Sequence, residues 1–431
     1  QAGDQVLAEM EEAVVGNVGL TMVKMFKILR KAISGGGAQS SRLAAMYRDD
    51  DPEQGTVHGP AVREEVERAG ERINRRREID TGALTDLLGW VRGYPSEGRS
   101  VDVAEGVCSW EACERSIAKF KPRKGLGADG FDGYLVRLMP EPMKRQYHRI
   151  LQGIVRERQY PKEWNEWIAV LAMKPGEDSK KLGRRRDLWM QCHSCACVMR
   201  MLAKEFDRAA WESVGGSQAG FTPDRNAPEQ TLVARLMAEQ AASERTPLCR
   251  AYLDFGTFFQ SVAYEVSAEV EKWSGVAPEV SEVVRHLREG LEASEGREEL
   301  PPLTGRYETE FGLTGAVLMG RGLGQGDAAA ACRSKLVLAV VSGVIEKMCR
   351  GRRLRATKCS VPTLLFADDA MLQSDDVQTL GRAVECAWMV AKVAGLDLQV
   401  KGKRKSAWSA VYWKDGKEVD VTGWEMRMPD G

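Results

Sequence analysis

The chain has 431 residues, enough for two or three domains with hydrophobic cores of their own. Lysine plus arginine and aspartate plus glutamate each number 62, and the resulting net charge of zero counts against a chain built only to coat nucleic acid. No apolar run approaches the ~18 residues a membrane-spanning helix needs, and the ten scattered cysteines fit a reduced, soluble, intracellular protein.

Residues 1–33 place Val14, Val15, Val18, Met22, Met25, Phe26 and Leu29 at roughly helical spacing, and SGGGAQSS at 34–41 reads as a flexible linker. Residues 64–78 are mostly charged, with Arg75, Arg76 and Arg77 in a row, and are expected to form a solvated helix. Nothing chemical stands out before residue 100, so residues 1–100 are expected to be a loosely attached extension. The chain opens on Gln1 with no signal-peptide pattern behind it, which reads as a soluble piece of something longer.

From Val101 the texture changes. A helical pattern at 110–120 runs into Lys119, Lys121, Arg123 and Lys124, then the turn-forming GLGADG at 125–130, whose basic flank suits phosphates as well as plain solvent. WNEWIAVLAM at 164–173 reads as a strand entering Lys174-Pro175-Gly176, with Lys180, Lys181 and Arg184 to Arg186 behind it. Helices are expected over 188–212 and 229–242, with the turn QAGFTPDR at 218–225 between them. Cys192, Cys195 and Cys197 include one CxxC without a partner pair at zinc spacing, so they read as small core side chains.

RAYLDFGTFFQSV at 250–262 holds Asp254 inside an apolar strand, where a carboxylate is costly unless paired or metal-bound. Helices follow over 262–274 and 278–292, then a β-like pair at 306–319, the loop GRGLGQG at 320–326 and an alanine-rich helix over 328–348. That loop is a weak match to a dinucleotide fingerprint, because Asp327 would fill the sixth position of GxGxxG and no strand-loop-helix unit surrounds it. VPTLLFADDAMLQS at 361–374 reads as a hairpin whose tip carries Asp368 and Asp369. Two carboxylates that close favour protonation of one or capture of a hard cation such as Mg2+. A solvated acidic turn would show the same pair, and Asp254 is the third carboxylate that decides between the two. An amphipathic helix over 377–394, a strand at 396–400, the basic run of 401–405 and a two-residue turn at Asp415-Gly416 complete the chain.

In their order and spacing these stretches resemble the reverse transcriptase domain of non-LTR retroelements and group II intron-type enzymes. KGLGADG resembles the family's opening block, MKPG with RRRDL its finger segment, and SQAGFTPDRNAPEQ its QFGFRPGRST block. AYLDFGTFFQSV, GLGQG, FADDA and AGLDLQVKGKRKS look like motifs A, B, C and D, so the likeness covers roughly residues 105–415. The fold implied is α+β: a right-hand polymerase with fingers over 101–250, a palm of antiparallel sheet backed by helices over 251–405, and a largely missing thumb beginning at 406–431.

The activity implied is RNA-directed DNA polymerisation with two Mg2+ ions (Mn2+ as a substitute), acting on an RNA template, a DNA or RNA primer and deoxynucleoside triphosphates. Asp254, Asp368 and Asp369 match the metal-binding acids, with the Phe255 carbonyl as a further ligand. Lys174 and Arg186 match the cations that hold the incoming triphosphate, with Arg185 an equally available substitute for Arg186. Phe259 matches the aromatic gate against a 2′-hydroxyl, and Gln325 and Gly326 match the motif B pair beside the nascent base pair. Lys124, Arg225, Arg353, Lys403 and Lys405 are the candidate phosphate contacts for template and primer.

Several positions depart from the family pattern. Phe258-Phe259-Gln260 replaces Ala-Phe-Asp in motif A, Gly324 replaces the arginine before Gln-Gly, and Ala330-Ala331 stands for Ser-Pro. Thr222 and Asp187 replace a common arginine and proline. None is a metal ligand. Two rivals follow: a catalytically silent RNA-binding module with the same fold, and a palm-type transferase making RNA or cyclic nucleotides, which Phe259 opposes. No membrane association is expected; oligomeric state and the choice between nucleus and cytoplasm stay open.

Overall fold

The computed structural model describes residues 43–95, 99–122, 124–174, 178–182, 185–214, 216–355, 360–399, 406–414, 417–419 and 421. The expected helix over 1–33, the 34–41 linker and the basic run of 401–405 lie outside them.

A small antiparallel hairpin, β1 (Ala45–Tyr47) with β2 (Thr56–His58), leads into α1 (Ala61–Asn74) and α2 (Thr81–Val91). Val62, Val66, Ala69 and Asn74 of α1 turn inward together with Glu65, whose carboxylate accepts from the Asp49 amide at 2.9 Å and from Arg68 at 2.7 Å. Asn74 donates to the Tyr307 hydroxyl at 2.9 Å, and the Gly70 backbone lies so close to the Tyr307 ring that a Cβ there would strike it. Asp80 caps α2 by accepting from the Ala83 amide at 2.9 Å, and Leu84 and Leu88, one turn apart, enter the main core. The expectation of a loose, solvated extension is therefore corrected for residues 43–91, which are packed into both hydrophobic cores.

Three helices follow, α3 (Trp110–Ala118), α4 (Gly133–Leu138) and α5 (Glu141–Glu157), and then the first hairpin of a larger sheet, β3 (Glu166–Met173) with β4 (Arg185–Met190). Alternation sends Trp167, Ala169 and Leu171 of β3 inward, and Arg185, Asp187 and Trp189 of β4. The period of two continues through Met190, so residues 188–190 are strand rather than the start of the helix expected there. That helix, α6 (His193–Val214), opens with Cys192, Cys195 and Cys197 all buried, as small core side chains should be.

After α7 (Ala227–Glu244) come β5 (Leu248–Leu253), the short β6 (Phe255–Gly256) and three helices, α8 (Phe258–Ser261), α9 (Tyr264–Trp273) and α10 (Pro278–Glu289). β7 (Thr304–Thr309) then joins β3 in parallel and takes β8 (Gly312–Leu313) and β9 (Val317–Leu318) on its own edge. The first sheet has the order β4-β3-β7-β8. Helix α11 (Ala330–Met348) is apolar nearly all round, and the run Leu336 to Val341 is wholly buried within it.

A short antiparallel pair, β10 (Arg352–Arg353) with β11 (Ser360–Val361), comes next. The second sheet has the order β12-β13-β5-β15-β16, all antiparallel, from β12 (Thr363–Phe366), β13 (Asp369–Ser374), β15 (Ala407–Lys414) and β16 (Lys417–Val419) around β5. Helix α12 (Val377–Val393) packs on β13 and β5, while α11 packs on α6 and α12. β14 (Asp397–Leu398) pairs with β6. Pairing of Lys414 with Lys417 leaves two residues between β15 and β16, as the Asp-Gly signal predicts. The class is α+β, with largely antiparallel sheets backed by helices. Among the described residues no helix is long and apolar enough to cross a membrane.

Candidate active site

The acidic turn closes β12 and β13. Phe366 pairs with Asp369, which leaves Ala367 and Asp368 as a two-residue tip. Leu253 pairs with Ala370, so Asp254, the next residue, leaves β5 beside the first residue of β13. Hydrogen-bonded strands run ~4.8 Å apart, and Asp254 therefore meets the adjacent pair Asp368 and Asp369, distant from it in sequence, at one end of the second sheet.

Their charges feel one another. Burial first, then the negative charges of Asp369 and Asp254, hold the Asp368 carboxyl above its ordinary range, while Arg186 pulls it back. Arg186 belongs to β4 of the first sheet, so both sheets contribute to this corner. The Asp254 backbone is fixed on both sides: its amide donates to the Ser406 hydroxyl at 2.9 Å, and its carbonyl accepts from the Gln399 amide at 2.9 Å. Phe255 pairs with Leu398 in β6, and its ring is buried edge-on to Phe258 at 5.8 Å, so only its carbonyl could serve a cation.

Phe259 is half-buried in α8, its ring at right angles to Phe258 and to Phe221, with centroids 5.8 and 6.4 Å away. Its carbonyl accepts from the Leu323 amide at 2.7 Å, which ties the 320–326 loop to the aromatic cluster. Phe221 is 52% exposed at φ 58°. The resemblance assigns it no role; an aromatic ring in the turn at 218–225 between two helices is the signal the sequence holds. Lys335, itself buried, holds it by donating to its carbonyl at 3.0 Å.

The Gln325 carbonyl accepts from the Trp189 amide at 2.9 Å, joining the same loop to β4 beside Arg186. Gly326 (φ 124°) lies against the Trp189 backbone with no room for a side chain. Gly324 sits at φ 75° under the Trp167 ring, which explains the glycine where the resemblance leads one to expect arginine: no long side chain fits that contact.

The cations divide by strand face. Arg185 is 6% exposed and donates to the Ser179 carbonyl at 2.7 Å and the Leu171 carbonyl at 3.1 Å, so it is not the substitute for Arg186 that the sequence offered. Arg186, one residue on, points the other way and is exposed. Lys174 is half-buried and its charge acts on the buried carboxylate of Asp187. Arg225 is held by Glu229 at 2.7 Å and the Gly216 carbonyl at 3.0 Å, which corrects its expected role as a free phosphate contact. Lys124 and Arg353 are exposed. Lys403 and Lys405 lie outside the described residues.

Among the described residues no three His, Cys, Asp or Glu side chains are gathered as a formed metal site. The donor set at the turn nonetheless suits a hard divalent cation: carboxylate oxygens alone, mutually repelling, one with its proton affinity raised first by burial and then by that repulsion. No protein-family model matches the chain, and no curated protein matches it.

Proposed function

We propose that this chain is an RNA-directed DNA polymerase, with the second sheet and its helices as palm and the first sheet as fingers. The observation that carries the reading is the meeting of Asp254, Asp368 and Asp369 from separate strands, with Arg186 of the other sheet close enough to act on Asp368. Asp254, Asp368 and Asp369 would hold Mg2+, with the Phe255 carbonyl beside them. The bound cation would lower the pKa of a primer 3′-hydroxyl and stabilise the departing pyrophosphate.

The chain's own groups supply the rest. Arg186 offers a triphosphate charge-assisted hydrogen bonds. The Phe259 ring closes the space beneath the sugar and leaves a 2′-hydroxyl no room. The loop holding Gln325 and Gly326, fastened to β4 and to Phe259, forms the wall next to the base pair. Primer extension on an RNA template with dNTPs and Mg2+ tests the reading: incorporation templated by RNA is expected, and template binding with no incorporation overturns it.

The departures at motif B, Gly324 and Ala330-Ala331, favour a second reading, a silent RNA-binding module of the same shape. The same assay separates the two. Phe259→Ala is expected to relax the preference for dNTPs over rNTPs by roughly 10- to 100-fold. A preference for rNTPs in the unaltered protein would remove the gate assignment.

A further inference from the structure

The acidic tip carries an unusual backbone. Ala367 has φ 58°, a left-handed conformation that a residue with a Cβ resists. Strain of this kind persists only where surrounding structure imposes it. A two-residue hairpin calls for φ > 0 at its first central residue, and the side chain that holds Ala367 there is Gln218, 149 residues away in sequence and 1% exposed. Its Oε1 accepts from the Ala367 amide at 3.0 Å and from the Gly220 amide at 2.7 Å, and its Nε2 donates to the Ala367 carbonyl at 3.0 Å. Both lone pairs of the oxygen are used, and the carboxamide supplies acceptor and donor to the two sides of one residue. The backbone adds its own hold: Leu365 donates to the Ser217 carbonyl at 2.8 Å, and Ala219 to the Leu365 carbonyl at 2.9 Å. Gly220 then lies against the Ala367 amide with no space for a Cβ.

We propose that Gln218 is a positioning residue for the acidic turn: its carboxamide clamps Ala367 in the left-handed conformation and thereby sets where Asp368 points. The inference rests on the reading of Asp368 as a metal-holding side chain. Gln218 touches neither cation nor substrate. It acts through Ala367.

Gln218→Met keeps the volume and removes the clamp. The full chain carrying it is expected to lose about 10- to 100-fold in kcat, as loss of an orienting partner typically costs, with the KM for dNTP within about two-fold. Mn2+ affinity, read from the electron paramagnetic resonance of the free ion, is expected to fall about 10-fold. Ala367→Gly added to this variant is expected to recover much of both losses, because glycine adopts φ > 0 without the clamp. Gln218→Glu places an acceptor against the Ala367 carbonyl and should also fail, which supplies a second variant if the first folds poorly. Losses that simply track the folded fraction, with no glycine rescue, overturn the proposal. A parent protein that incorporates no nucleotide sinks the polymerase reading alone. A crystal structure of Gln218→Met then decides the clamp by itself: Ala367 still at φ near 60° with Asp368 in place rules it out, and relaxation of that turn supports it.

Discussion

Replacing Asp254 or Asp368 with asparagine is expected to reduce templated incorporation by roughly 10^3-fold or more while leaving the fold as stable as before, or more so. The two halves of this outcome come from the same electrostatics. Burial, which penalises the charged form, and then the repulsion of Asp369 and Asp254 hold the Asp368 carboxyl above its ordinary range. A group whose charged form is disfavoured in the folded state weakens that state whenever it is ionised. Removing one negative charge therefore relieves the fold and disarms the site, since losing a group that stabilises developing charge typically costs 10^2- to 10^3-fold or more.

A structural role for the same residues makes the opposite forecast. A buried carboxylate kept for its hydrogen bonds leaves unpaired donors behind when changed, and stability falls. The Asp254 backbone bonds to Ser406 and Gln399 come from main-chain atoms and survive the substitution, so they do not blur the comparison. Thermal unfolding and primer extension on the same preparations separate the cases. Full activity in either variant removes the two-metal assignment, and a marked loss of stability in both points to packing instead.

Much of this arrangement was legible in the sequence because period and breaker residues report local geometry. The hairpin at 363–374, the strand before Lys174 and the helices over 227–244 and 330–348 follow from alternation, glycine and apolar spacing. What escaped depended on parity or on distance. Arg185 and Arg186 look interchangeable as letters, yet adjacent strand residues face opposite sides, and the burial of Trp189 fixes which side is inner. Counting back by two from that tryptophan would have set Arg185 aside. α1 reads as solvated because its inward stripe is built from small residues, Val62, Val66 and Ala69, among many charges. Gln218 has no local signature at all; its task lies on a turn 149 residues later, and only the folded chain brings the two together.

Asp187 shows how a departure from the family pattern becomes a measurable property. It sits on the inner face of β4, 5% exposed, and burial pushes its carboxyl up to about 7, with the Lys174 charge pulling the other way. The folded value lies above the ordinary 3.8, so between those two pH values the folded chain binds more protons than the unfolded one. Stability contributed by this group is full below about pH 4, falls as pH rises toward 7 and is flat above that. About three pH units at 1.36 kcal/mol each set an upper figure of roughly 4 kcal/mol for the loss. Asp187→Asn is expected to remove that slope and to raise the melting temperature at pH 8 relative to the parent, with little difference at pH 4. Lys174→Met should do the reverse, carrying the fall in stability to higher pH, because a cation that pulls the carboxyl down is gone. Difference curves of melting temperature against pH, variant minus parent, isolate the group from every other titration; a flat difference for Asp187→Asn would mean that the first sheet solvates this acid. Arg186 lies on the opposite face of the same strand, so β4 carries an exposed outward cation over an inward acid that loosens its sheet as pH rises.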